Sequence, residues 1–99
     1  MNIKENEYNN VDSLRKNIGF FIRESRVNRS LTGGQFAKLI NVSQQQVSRY
    51  ENGLTNMSID MLNSIFIVLG VEWQDFYRKV LLIEVNKNIT KNTNSFPFY

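Results

Sequence analysis

The chain contains no cysteine and no histidine. Without cysteine there is no disulfide, no thiolate metal site and no thiol nucleophile, and such usage fits a reducing cytoplasm. Without histidine the commonest general base and metal ligand is missing. No apolar run approaches the roughly 18 residues of a membrane-spanning helix. The opening MNIKENEYNN is polar, so it does not read as a signal peptide. The single proline, Pro97, lies outside every expected helix. There is no glycine-rich phosphate loop after a strand and no cluster of carboxylates. The expectation is a cytoplasmic protein that is not an enzyme, with no cofactor, no metal and no membrane partner. No ligand-binding domain is visible, so no small-molecule ligand is expected.

What is present suffices for one domain with one core: 99 residues, 41% of them hydrophobic and 12% aromatic. A net charge of +3 permits an anionic partner such as nucleic acid, but many proteins that bind none share this balance. Val11, Leu14, Ile18, Phe21 and Ile22 recur at helical spacing and predict a helix over about 11–28, after a loose polar segment 1–9. Thr32 and Gln35 have capping-box spacing, with Leu31 and Phe36 as a hydrophobic staple. A second helix is therefore expected from Gly33 to Ile40. Asn41 tolerates a left-handed conformation and can end it tightly. Ser43 and Gln46 form a second such box, with Val42 and Val47 as staple, and start a third helix at Gln44 that ends before Gly53. Ser58 caps a fourth, closed by Gly70, and a fifth is expected over about 73–81. The weakly alternating LLIEVNKNIT suggests a short strand at about 81–86.

Two helices separated by so few residues must turn sharply. The pair at 33–52 has helix-turn-helix spacing, with Ala37 small at the helix contact, Asn41 in the turn and Val47 buried. More widely, Ile18–Gly19, Arg26, Leu31–Thr32, Phe36–Ala37, Val47–Ser48, Glu51, Gly53 and Leu69–Gly70–Val71 resemble the lambda-repressor-like family of Cro or xenobiotic-response-element regulators, over roughly residues 14–80. LTG-x-Q followed by SQQQVSRYENG looks like the small regulators encoded with bacterial fimbrial operons. Two positions depart from the family. Asn41 replaces the turn glycine. Gly33 replaces a glutamine that in the family often touches a phosphate.

The resemblance implies an all-α, compact five-helix DNA-binding domain at 10–81, and residues 82–99 form a C-terminal extension able to serve as a dimerisation arm. It implies a repressor of fimbrial or motility genes that binds double-stranded DNA as a homodimer. The rival reading is a protein-interaction module, an antitoxin or antirepressor reusing the fold. In a helix-turn-helix the second helix enters the major groove. If Val47 and Tyr50 face inward, Gln44, Gln45, Ser48 and Arg49 face the bases. A glutamine amide matches adenine N6 and N7, arginine matches guanine O6 and N7, and each good pair discriminates by about 1–3 kcal/mol. Thr32, Gly33, Gly34, Gln46, Asn52, Thr55 and Asn56 are the candidates for the DNA backbone. The family resemblance implies an ion pair between Arg26 and Glu51. Trp73, Tyr77, Leu81, Ile83 and Val85, with the terminal FPFY, exceed what a small core needs and are the dimerisation candidates.

Overall fold

The computed structural model of the chain describes residues 3–91, and every element among them is helical. The helices are α1 (Ile3–Asn28), α2 (Gly33–Leu39), α3 (Gln44–Glu51), α4 (Ile59–Leu69) and a long α5. The last opens as Trp73–Phe76, widens into a π-helical turn over Tyr77–Leu81 and continues as Leu82–Lys91. Three N-termini follow the expected chemistry. The hydroxyls of Thr32, Ser43 and Ser58 accept from the backbone N–H of Gln35, Gln46 and Met61 at 3.0 Å each. Gln35 closes its box, its Oε1 accepting from Thr32 N–H at 2.8 Å. Gln46 does not return the bond to Ser43, so the second capping box is only half formed.

The first four helices end alike. Ser30, Asn41, Gly53 and Gly70 take positive φ near 60° to 70°. Each lets the next residue's N–H reach back over the last turn, as Val42 does to Ala37 O and Leu54 to Arg49 O. Leu31, Val42 and Val71, the residues that follow three of these turns, then fold onto the core.

Thirteen buried apolar residues drawn from all five helices make one core. Phe21, Phe66 and Phe76 meet edge-on or tilted, with centroids 5.1–5.8 Å apart. Gly19 sets how closely α1 crosses α3: a Cβ there would lie 2.5 Å from the carbonyl oxygens of both Tyr50 and Glu51.

Two expectations fail at the ends. Helix α1 starts at Ile3 rather than near 11. The strand proposed at 81–86 is helix: the backbone passes unbroken into Leu82–Lys91. The reason lies in burial. Phe76, Val80 and Glu84 are all buried, and the wide turn keeps that face on α1. Glu84 there accepts from the Ser13 hydroxyl at 3.2 Å and from the Asn17 amide. A strand would turn every second residue away from this contact. FPFY lies outside the described residues.

Candidate nucleic-acid interface

Helix α3 buries Val47 and Tyr50 and exposes Gln44, Gln45, Ser48 and Arg49, as its 3.6-residue period requires. The side chains of Gln45 and Arg49 engage no other described residue through a hydrogen bond or ion pair. Gln44 leans back over the start of α2. A Cβ on Gly34 would lie 3.4 Å from its Oε1, and one on Gly33 would lie 3.7 Å from its Nε2. Both distances are ordinary van der Waals contacts, so the amide rests on the start of α2 whether or not a Cβ is present. Gln46 is half-buried.

The backbone candidates divide. Gly33, Gln44, Ser48 and Asn52 come together, lining a polar concavity between α1, the start of α2 and α3. Thr32 stands exposed as the cap of α2, and Gly34 follows in its first turn. Asn52 is partly committed to its own helix, donating from Nδ2 to Ser48 O at 2.8 Å and to Ser48 Oγ at 3.3 Å. Thr55 and Asn56 lie elsewhere. They line a second, mostly apolar hollow with Leu14, Arg15 and Ile18 on the other side of the Gly19 crossing.

Arg26 and Glu51 meet as a fork. Arg26 Nε donates to Glu51 Oε2 at 2.6 Å and Nη2 to Oε1 at 3.0 Å. Arg26 Nη1 donates to Leu31 O at 2.8 Å. The hydrogen bonds to Glu51 hold the guanidinium proton more tightly than in a free arginine, against the opposing effect of burial. One side chain thus joins α1, the loop before α2 and the end of α3, and fixes the angle at which α3 projects.

Sequence reasoning missed Arg23. It sits one helical turn before Arg26 and lines the same polar concavity as Gly33, Gln44, Ser48 and Asn52. Its i, i+3 spacing from Arg26 was the available signal. The dimerisation candidates are dispersed. Trp73 is 40% exposed, packs its ring at 4.7 Å on Phe66 and donates from Nε1 to Asn63 Oδ1 at 3.0 Å. Tyr77, Ile83 and Val85 are about half exposed, whereas Leu81 packs against the core. Among the described residues no group of His, Cys, Asp or Glu could hold a metal, and no helix is long and apolar enough to cross a membrane.

Residues 22–76 match the helix-turn-helix family. The chain is 33% identical over 58 residues to the antitoxin PezA of Streptococcus pneumoniae, a match covering 59% of this chain and 37% of that protein. Two crystal structures of the clp gene regulator ClgR from Corynebacterium glutamicum share the fold. One superposes with a TM-score of 0.65 at 26% identity, over 69% of this chain and 87% of that one. The other gives 0.67 at 22% identity, over 83% and 87%.

Proposed function

The chain belongs to the helix-turn-helix family, a family of DNA-binding regulators, and on that premise we propose that it is a transcriptional regulator that reads duplex DNA with α3. The observation that carries this reading is the outward face of α3. Gln44, Gln45, Ser48 and Arg49 stand exposed on a helix whose angle is fixed by the Arg26–Glu51 fork. Amide and guanidinium groups there suit adenine and guanine edges. Thr32, Gly33 and Gly34 at the start of α2 and Asn52 after α3 flank the reading face, where phosphates pass. Gln46 adjoins that face, and Thr55 and Asn56, which lie apart from it beside Arg15, are proposed for a phosphate farther along the backbone. The finer reading is a cytoplasmic homodimer repressing fimbrial or motility genes. It rests on the resemblance of SQQQVSRYENG to the fimbrial-operon regulators and on the exposed apolar residues of α5.

Selection of bound duplexes from a random library tests the proposal. An enriched site should emerge. Gln44→Ala, Gln45→Ala and Arg49→Ala should each weaken binding to it by about 1–3 kcal/mol and relax the preference at one position per half-site. Variants that bind the selected site like the parent would show that α3 is not the reading helix.

The likeness to an antitoxin supports a second reading, a module that pairs with a partner protein. No enrichment of any duplex, together with a stable complex with a protein encoded beside it, would favour that reading.

A further inference from the structure

We propose that Arg23 holds a DNA phosphate in the polar concavity between α1 and the helix-turn-helix, so that α1 takes part in the interface. The inference rests on the reading of α3 as the recognition helix. Three observations carry it. Arg23 lines the concavity together with Gly33, Gln44, Ser48 and Asn52, all of them on or beside the face assigned to DNA. The other charges of that concavity, Arg26 and Glu51, neutralise each other in the fork at 2.6 and 3.0 Å. Arg23 is exposed and enters no ion pair or hydrogen bond among the described residues, so it leaves the concavity a net positive charge. Gly33 lines the same concavity and adds no side chain to it.

The position favours phosphate over a base. Arg23 lies on α1, beside α3 rather than at its exposed tip, where the sugar–phosphate rim of a groove passes and the base edges do not. It precedes Arg26 by three residues, about 4.5 Å of helix rise, and Arg26 is fixed to α3. The backbone that carries Arg23 is therefore fixed relative to α3, while its guanidinium stays free to donate two hydrogen bonds to one phosphate. A contact of this kind carries no sequence information and is seen in the salt dependence of binding.

The test uses the full chain, its selected duplex and a pool of random 30-base-pair duplexes, with dissociation constants measured across salt concentrations. Arg23→Ala should flatten the plot of log affinity against log salt by about 0.9, and that slope is worth about eightfold at 0.1 M compared with 1 M salt. The loss should be equal on both DNAs. Arg23→Lys should keep most of the slope. Arg78→Ala removes the same charge from the α1–α5 side and should leave the slope unchanged. Thermal melts of the variants should match the parent, since Arg23 is exposed. The proposal is overturned if Arg23→Ala keeps the parental slope while Arg49→Ala loses binding. It is also overturned if Arg23→Ala changes base preference. If neither Arg49→Ala nor Arg23→Ala alters binding, the reading of α3 fails and this contact falls with it.

Discussion

A single guanidinium, that of Arg26, joins three parts of the chain through hydrogen bonds to Glu51 and to Leu31 O. The side chains of the pair are only 13% and 8% exposed, so removing one partner strands the other in a poorly hydrated place. Loss of one partner of a fully buried pair costs about 3–5 kcal/mol, and partial access to water here should bring Arg26→Ala and Glu51→Gln to about 2–3 kcal/mol. Urea titration reads this directly. The raised pKa of Arg26 means that its contribution is fully present below the ordinary arginine range and is lost only above it. Its part in the fork should therefore be constant across neutral pH. Gly19 makes a second residue-scale prediction. A methyl group there would press on two carbonyl oxygens at 2.5 Å, and backbone cannot step aside as a side chain can. Gly19→Ala should cost at least the roughly 1–3 kcal/mol of an overpacked core and tilt α3 against α1. Loss of DNA affinity beyond the loss of folded protein, measured on the same sample, would expose the tilt.

At the scale of elements, four helix ends share one geometry but not one residue. Gly53 and Gly70 adopt the left-handed conformation freely, whereas Ser30 and Asn41 carry a Cβ into it. Ser30→Gly and Asn41→Gly should each raise stability by a few tenths to about 1 kcal/mol, less the chain entropy glycine adds to the unfolded state. Chemical denaturation of both variants reports the sign. Glycine at Gly53 is needed on two counts, since a Cβ there would also lie 2.9 Å from the backbone of Lys16. A polar clip joins the extension of α5 to α1. Glu84 is buried and accepts from Ser13 and Asn17 on α1. Glu84→Leu should leave both donors without their acceptor and free Leu82–Lys91 from α1. Amide exchange should then rise across Leu82–Lys91 while α2 and α3 keep their protection.

At the scale of the whole molecule, we propose that two copies assemble on DNA. One helix-turn-helix touches few base pairs, and two copies about a two-fold axis read a palindrome with half-sites about 10 base pairs apart. Trp73, Tyr77, Ile83 and Val85 leave apolar surface exposed along α5. Because Leu82–Lys91 is helical, the dimer we propose pairs helices. Sedimentation equilibrium at micromolar concentration should give a dimer for the full chain and a monomer for Tyr77→Glu with an unchanged melting temperature. A full-length chain that stays monomeric, both alone and on its selected duplex, would exclude the dimer.

The sequence by itself determined what depends on short spacing. Capping residues, staples and apolar period lie within a few residues of one another, so the bounds of α2 and α3, the turn at Asn41 and the outward set Gln44, Gln45, Ser48 and Arg49 were all legible. The Arg26–Glu51 pair came only through the family resemblance, because the two residues lie 25 positions apart. Tertiary structure decided what depends on a distant neighbour. Leu82–Lys91 is rich in strand-forming residues, yet it is helical where α1 offers Glu84 its two donors. Arg23 looked like any exposed helix charge until α1 was packed beside α3. A local pattern records the preference of a segment, and burial against a partner far along the chain selects among the conformations that preference allows.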